Sequence, residues 1–218
     1  MTDTPGRAPA KNRLVVGISG ASGVTYGIRL LDALDELGIE SHLVMTRAAE
    51  LTIGYETDLH PRDVAAKASH AYAADDVASA IASGSFRTQG MIVAPCSIRS
   101  MSEIATGVTS SLLSRAADVT LKERRPLILV VRETPLHLGH LRSLTALAEM
   151  GAIILPPVPA FYAAPHTISD IVDQMVGRML DLLGYDWPQV KRWGEDLTKG
   201  RRRGAAKSKP RQDGDDGH

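Results

Sequence analysis

The loop Gly20-Ala21-Ser22-Gly23 directly follows the apolar run 13–19 and is the first candidate for a ligand-binding site. Small residues at a turn between a strand and a helix let a ligand approach the backbone closely. The N–H groups of such a loop and the N-terminus of the next helix are suited to an anion, most naturally a phosphate. A tight turn without a ligand is the alternative interpretation, because the three-residue spacing of Gly17, Gly20 and Gly23 is not the dinucleotide pattern G-x-G-x-x-G.

Hydroxyl, cationic and acidic residues recur immediately after other apolar runs. These positions are Thr46 and Arg47, the stretch 97–100, Arg132 and Glu133, and the stretch 160–162. Ligands of doubly wound parallel sheets bind beyond the carboxyl ends of the strands, so we expect these residues to lie near one site. Thr46 and Arg47 stand where a nucleotide-binding chain would place an acidic residue for the ribose. The pattern therefore favours a phosphate over NAD.

Apolar runs that alternate with helical patterns must position these residues, and they predict a three-layer α/β/α sandwich with a parallel sheet covered on both faces. Strands are predicted at 13–19, 40–46, 90–97, 126–133 and 152–162. Helices are predicted at 26–38, from Arg47 onward, at about 101–123, at 136–151 and at 167–184, the last capped by Thr167 or Ser169. The polar, Ala- and Ser-rich stretch 58–89 gives only weak signals.

The 218 residues suit one domain, predicted at 13–198 between disordered ends at 1–12 and 199–218. The net charge of zero conceals an asymmetry, because residues 199–218 carry seven Lys and Arg against three Asp. We interpret this basic tail as solvated rather than as a nucleic-acid site. No apolar run is long enough to span a bilayer, and the N-terminus lacks the apolar stretch of a secretory signal.

The single cysteine, Cys96, excludes an internal disulfide framework and fits a reducing cytoplasm. Its simplest role is that of a small buried residue at a strand end. His137 and His140 have the spacing HxxH, which alone is a weak metal signal, and a structural role is favoured. With no Cys and His cluster at zinc spacing, no metal is expected.

Five motifs carry a resemblance that extends over residues 13 to about 195: GISGASGVTYGIRLL, APCSIRSMSEIATG, LLSRAADVTLKERRPLILVVRETPLHLGHL, GAIILPPVPAFY and RWGE. In them the chain closely resembles the flavin prenyltransferases of the UbiX type, which include the B subunits of phenolic acid decarboxylases. The resemblance implies a Rossmann-like, flavodoxin-like fold, a homododecamer and a metal-independent transferase. It further implies transfer of a dimethylallyl group from dimethylallyl phosphate to N5 and C6 of reduced FMN. A UbiD-type decarboxylase would receive the prenylated FMN as its cofactor.

The resemblance also implies which residues bind the two reactants. The FMN contacts of the family fall on Gly20, Ala21, Ser22, Thr46, Ser97, Ile98, Arg99, Ser100 and Arg132. Dimethylallyl phosphate would be bound by Lys122, Arg115, Arg132, Tyr162 and Arg178. Such cations and hydroxyls suit a phosphate dianion.

Catalytic roles are implied for Glu133, Ser22, Glu56, Lys122 and Trp193. Breaking the allylic C–O bond expels phosphate, so Lys122 and the neighbouring donors would stabilise the charge that grows on the leaving group. Ring closure at C6 releases a proton, which the phosphate would accept with assistance from Glu133. Ser22 and Glu56 would handle hydrogen bonds and protons near N5. Trp193 would cover the site and exclude water.

Two positions depart from the commonest family pattern. Ser111 stands where Asn is frequent, which shortens one polar contact, and Ser100 replaces a Thr while keeping the hydroxyl.

Two other functions remain open at this point. An FMN-dependent decarboxylase of the cysteine-decarboxylase type is the first, although such sites depend on a catalytic His and an Asn-rich turn, whereas the matching turn here reads PCSIRSMS. A non-catalytic FMN carrier is the second, and it has no need of a second phosphate site.

Overall fold

Six strands form one sheet in which every pair of neighbouring strands is parallel. The structure, a computed structural model, describes residues 12–192. Its strands are β1 (Arg13–Ile18), β2 (Glu40–Met45), β3 (His70–Tyr72), β4 (Met91–Cys96), β5 (Leu127–Val131) and β6 (Ile153–Ile154). The central strands consist almost wholly of buried aliphatic residues, which is typical of a parallel sheet covered on both faces.

The strands lie in the order β3-β2-β1-β4-β5-β6. This is the doubly wound Rossmann order, in which the chain reverses its direction across the sheet between β1 and β4. A crevice opens at such a switch point beyond the carboxyl ends of the strands. The Rossmann-like sandwich expected from the motifs is therefore confirmed.

Seven α-helices within residues 12–192 cover the sheet. They are α1 (Val24–Glu36), α2 (Arg47–Glu56), α3 (Pro61–Ala65), α4 (Ile98–Thr106), α5 (Leu112–Lys122), α6 (Leu138–Glu149) and α7 (Ile168–Asp181). Short 3-10 turns occur at Ala80–Ala82 and Phe161–Ala163. In this described part, no helix combines the length and the apolarity that crossing a bilayer requires.

Two hydrophobic cores, one on each face of the sheet, confirm the three layers. On one face, α1, α2, α3 and α7 bury residues such as Leu31 and Met179 against Val16 and Ile92. On the other face, α4, α5 and α6 pack against the alternate strand residues. The alternation follows from the two-residue period of side chains along a strand.

The structure corrects two predicted elements. The helix expected at about 101–123 is two helices, because Gly107 ends α4 with a φ of 71° and Ser111 begins α5 as its N-cap. The strand expected at 152–162 pairs only through Ile153 and Ile154, since the prolines that follow have no N–H to donate. The stretch 58–89 holds α3, β3 and a 3-10 turn.

Residues 185–192 continue the fold beyond α7. Trp187 is fully buried, and its indole Nε1 donates a hydrogen bond of 2.9 Å to Glu36 on α1. The predicted tail at 199–218 and nearly all of the predicted N-terminal segment lie outside the described residues.

Candidate active site

Two cavities open beyond the carboxyl ends of the strands, on either side of Glu133. The first, of about 460 Å³, lies at the switch point, and we name it the switch-point cavity. Its lining includes Gly20, Thr46, Arg47, Ala48, Ser97, Ile98, Arg99, Ser100, Glu103, Ser110, Ser111 and Glu133. The second, of about 400 Å³, we name the proline-side cavity. Its lining includes Ser22, Gly23, Thr25, Tyr26, Arg132, Glu133, Pro156, Pro157, Ile168 and Ile171.

Three helices begin at the wall of the switch-point cavity, and each has a hydroxyl residue as its N-cap. Thr46 Oγ1 accepts a hydrogen bond of 3.1 Å from the N–H of Ala49 in α2. Ser97 caps α4 and Ser111 caps α5 in the same way, each at 3.3 Å. Since the N-terminus of a helix carries positive partial charge, three of them at one cavity favour an anionic ligand.

The loop 20–23 is held against α2 at close range. A Cβ atom added at Gly20 would clash with the side chain of Ala48 and lie 3.0 Å from its carbonyl carbon. Gly23 adopts a φ of 98°, a conformation that favours glycine. Glycine is therefore required in this loop for its own packing, whether or not a ligand lies against it.

Glu56 supplies the N-terminal cap that α1 lacks in its own sequence. Its Oε2 accepts hydrogen bonds from the N–H groups of Gly23 at 2.8 Å and Val24 at 3.1 Å. The last residue of α2 is thereby tied to the loop that lines the proline-side cavity. Within this chain the carboxylate therefore positions the loop.

Ser19 joins the two strands that flank the switch point. Its fully buried Oγ donates to the carbonyl oxygen of Pro95 at 2.9 Å and accepts from the N–H of Ser97 at 2.7 Å. One hydroxyl thus fixes the distance between the ends of β1 and β4. In the sequence, Ser19 is the last residue of the strand predicted at 13–19, and nothing there indicates this role.

Arg132 and Glu133 follow β5 and are exposed at the mouth of the cavities. The backbone N–H of Arg132 donates to the carbonyl oxygen of Cys96 at 3.1 Å, which positions both residues at the sheet edge. Burial raises the pKa of Tyr26, and the positive charge of Arg132 acts in the opposite direction. The two side chains are therefore close enough to interact within the proline-side cavity.

Three predicted cations do not reach either cavity within this chain. Lys122 ends α5, five residues before β5 begins, so it lies toward the opposite, amino edge of the sheet, where it pairs with Glu123 at 2.9 Å. Arg115 contacts the carbonyl oxygen of Ala82 and the carboxylate of Asp118.

Arg178 lies about 9 Å along α7 from Val172, the last residue of that helix that lines the proline-side cavity. Its guanidinium is exposed and lies 3.9 Å from Asp181, so it does not interrupt the buried face of α7. Tyr162 is in the 3-10 turn that follows the prolines of the same cavity wall, with 48% of its surface exposed. Trp193 lies outside the described residues.

Sequence reasoning overlooked Tyr26, Thr25, Glu103 and Ser110 as lining residues. Ser111 was noted only as a departure from the family. The signal that could have found it is the run TSSLL, in which a serine precedes an apolar helix start, as N-caps do.

The arrangement offers anion-binding helix ends in one cavity, an arginine in the other, and a carboxylate facing both. Comparison with known proteins shows the family to which the chain is related. Residues 3–180 match the model of the family described as Flavoprotein. Flavin prenyltransferase UbiX of Escherichia coli (strain K12) is 55% identical over 184 residues, which covers 83% of this chain and 97% of that protein. The mitochondrial flavin prenyltransferase PAD1 of Saccharomyces cerevisiae is 50% identical over 185 residues, which covers 85% and 76%.

Solved structures are similar as well. A crystal structure of AnUbiX (PadA1) in complex with FMN and dimethylallyl pyrophosphate has a TM-score of 0.83 at 50% identity, covering 84% of this chain and 98% of that one. A dodecameric FMN-dependent UbiX-like decarboxylase from Escherichia coli O157:H7 has a TM-score of 0.81 at 48% identity, covering 83% and 98%. The cysteine decarboxylase TvaF, at 17% identity and a TM-score of 0.57, shares the fold alone.

Proposed function

This chain belongs to the flavin prenyltransferases of the UbiX type within the flavoprotein family, and from that premise we propose which of its residues carry the reaction. It transfers a dimethylallyl group to FMN, with an allylic phosphate as the donor. The observation that carries the assignment of residues is the pair of cavities that share Glu133.

The switch-point cavity fits the phosphate-bearing flavin. The N-termini of α2, α4 and α5 and the hydroxyls that cap them provide donors for a phosphate dianion. Gly20 allows a flat ring to lie along the loop, and Ile98 adds apolar surface for it. We assign flavin binding to these residues together with Ala21, Ser22, Arg99 and Ser100.

The proline-side cavity fits the smaller donor. Its apolar surface includes Pro156, Pro157 and Ile171, which suits a branched five-carbon group, while Arg132 offers a cation for the phosphate. Tyr162 follows the same proline segment. Glu133 lies between the two cavities, where the donor and the flavin meet.

Lys122, Arg115 and Arg178 would complete the second phosphate site from other copies of the chain. In this chain they lie away from both cavities, Lys122 toward the amino edge of the sheet. A homododecamer, as in the similar UbiX-like protein of Escherichia coli O157:H7, would bring such surfaces together. Because a phosphate dianion needs several cations, the site within one chain is incomplete on this proposal.

The residues around the two cavities have different roles in the reaction. Reduced FMN supplies the nucleophilic N5 and C6 atoms. Arg132, Tyr162 and the partner cations stabilise the negative charge on the departing phosphate. Glu133 holds or relays the proton that C6 loses. Glu56 fixes the loop beside N5, and Ser22, which lines the proline-side cavity, offers a hydroxyl there. Trp193 would shield the site from water.

The proposal also covers the enzyme that receives the product and the compartment in which the reaction takes place. A UbiD-type decarboxylase is the expected recipient of the prenylated FMN, since such a modified flavin is useful only to an enzyme that binds it as cofactor. The enzyme is expected to act in the cytoplasm, where reduced flavin and a reduced Cys96 both persist.

The test is an anaerobic incubation of the purified chain with reduced FMN and dimethylallyl phosphate. We expect a flavin heavier by one C5H8 unit in the mass spectrum. Decarboxylation of a peptide cysteine by the chain alone would support the cysteine-decarboxylase alternative, and retention of unmodified FMN would support a carrier.

Glu133→Gln separates binding from chemistry. We expect FMN to bind normally and ring closure to slow by on the order of 100-fold in single-turnover measurements, as for loss of a positioned acid–base group. Glu149→Gln, at the exposed end of α6, is the matched control and should leave the rate unchanged. An unchanged rate in Glu133→Gln would refute the proton role.

A further inference from the structure

A second group of side chains, of types that bind metal ions, lies at the opposite, amino edge of the sheet, remote from both cavities. Glu40 and His42 are two residues apart on β2 and therefore project from the same face. His70 begins β3 and is paired in register with His42. We name Glu40, His42 and His70 the His-Glu cluster; one ligand atom from each lies within 4.8 Å of the others.

The distances within the cluster are close to those of a metal coordination shell. Glu40 Oε1 lies 3.1 Å from His42 Nε2 and 3.3 Å from His70 Nε2. Ligand atoms of tetrahedral zinc with bonds of about 2.0–2.1 Å are separated by about 3.3 Å. The rings of His42 and His70 are stacked with centroids 4.8 Å apart and 18° between their planes, so one ring must turn before both nitrogens can face a shared ion. His70 can turn in this way, because 53% of its side chain is exposed.

The neighbours of His42 hold its ring as the neighbours of metal-binding histidines do. Its Nδ1 lies 2.8 Å from the phenol oxygen of Tyr72, so a metal-bound His42 could donate its remaining N–H to that oxygen. The edge of Phe86 packs against the His42 ring at a centroid distance of 5.0 Å. His42 is thereby fixed in position, while His70 leaves one side of the cluster open to solvent.

The protonation states at neutral pH are those that a metal requires. Burial lowers the pKa of His42, and the neighbouring His70 lowers it further, so its imidazole is neutral. Partial burial favours protonated Glu40, but the hydrogen bond and charge of Arg13 outweigh it and the pKa of Glu40 is lowered. A carboxylate and a neutral imidazole are therefore available together.

We propose that Glu40, His42 and His70 bind one Zn²⁺ ion, with the fourth position open to water on the side of His70. Two imidazoles and one carboxylate are a common zinc donor set with an open position. The ion would join the edge strand β3 to β2, on the far side of the sheet from the flavin chemistry. It plays no part in prenyl transfer.

Arg13 provides an internal test of this site. Its Nε donates to the same oxygen, Glu40 Oε1, at 3.1 Å, so a cation must compete with the guanidinium for that atom. Arg13 also lies 4.7 Å above the ring of Phe86, which gives it a place to remain when zinc binds. Arg13→Gln is therefore expected to tighten zinc binding, whereas a merely structural cluster predicts no such gain.

The experiment uses the full chain without an affinity tag or flavin, stripped of metal by a chelator and titrated with Zn²⁺ in a calorimeter. We expect one equivalent to bind, and Co²⁺ in its place to give the visible absorption of a four-coordinate ion. Tyr72→Phe should weaken zinc binding by about tenfold, because His42 Nδ1 loses its hydrogen-bond partner. His70→Ala should abolish stoichiometric binding, and the exposed His166→Ala is the matched control that retains it.

Two results would overturn the proposal: no binding of Zn²⁺ by the wild-type chain, or equal affinity in His70→Ala, which would place the ion elsewhere. Thermal unfolding gives an independent readout, since a ligand of the folded state alone raises the melting temperature. The rise should occur in wild type and be absent in His70→Ala. Prenyl transfer, measured separately, is expected to be equal in both proteins, so failure here leaves the proposed function untouched.

Discussion

The carboxylate of Glu56, at the end of α2, accepts a hydrogen bond of 2.8 Å from the backbone N–H of Gly23, the residue that immediately precedes α1. Removing it in Glu56→Ala leaves two N–H groups without their partner. We expect a loss of about 1 kcal/mol of folding free energy, as for other N-caps, and weaker FMN binding. Urea unfolding and flavin fluorescence titration measure the two effects. Asp58→Ala, at a neighbouring exposed position, is the control, and equal flavin affinity in both variants would contradict the positioning role.

Substitution of Gly20 should weaken flavin binding more than substitution of Glu56. In Gly20→Ala the new methyl group would clash with Ala48, and because the contact includes backbone the loop must move. We expect FMN affinity to fall by at least about tenfold, since the displaced loop no longer fits the ring. Gly54→Ala on α2 is the matched control, because no atom lies within 4 Å of its added methyl group. Normal binding by Gly20→Ala would show that the loop does not contact flavin.

Ser19→Ala tests the bridge between β1 and β4. The substitution removes both hydrogen bonds of the hydroxyl: the N–H of Ser97 loses its acceptor, while the carbonyl of Pro95 keeps only the backbone N–H of residue 19, at 3.1 Å. A cost of about 1–3 kcal/mol in unfolding free energy follows from the unmet hydrogen bonds. Chemical denaturation measures it against Ser85→Ala, whose exposed hydroxyl bonds only Ser83 and should matter little. A loss below that of the control would mean that the strand ends are positioned by packing alone.

Cys96 should be inert in the folded protein. Complete burial raises the pKa of its thiol to about 12, so almost no thiolate exists at neutral pH. We expect no modification by a thiol reagent under native conditions and one thiol per chain after unfolding. Rapid native labelling at pH 7 would require an accessible thiolate and would contradict the burial of β4.

His42 makes folding stability depend on pH. Its pKa is lowered in the folded state, first by burial and then by His70 and Arg13, with Glu40 acting in the opposite direction. The unfolded chain therefore binds a proton at His42 that the folded chain does not. Stability from this group is present above the unfolded pKa of about 6.5 and is lost as the pH falls below it. In metal-free buffer, the decline in unfolding free energy between about pH 7 and pH 5 should be shallower in His42→Gln.

Much of the fold follows from local patterns in the sequence. Buried β-type runs such as 127–131 and capped helices such as the one begun by Thr167 are determined by neighbouring residues, and both were predicted from the sequence. The break at Gly107 was missed because apolar periodicity resumes after Ser111 with little change of phase. The loop and strand-end residues could be expected at one edge of the sheet because parallel strands share their direction.

Other relationships depend on how distant segments of the chain are placed in the fold, which no local sequence pattern shows. Lys122 and Arg115 stand seven apart on one helix, yet only the direction of α5 shows that Lys122 lies toward the other edge of the sheet. His70 meets His42 through the register of β2 and β3, across a stretch whose strand is only three residues long. For that reason the absence of a zinc spacing in the sequence said nothing about a cluster assembled between strands.

The outermost strands, β3 with three residues and β6 with two, have a consequence for assembly. So few free backbone groups offer poor templates for another strand, which protects the sheet from extending into a neighbouring molecule. Copies of this chain would therefore adhere through helix surfaces and loops. A closed shell of many subunits can form in that way without the hazard of fibrous growth.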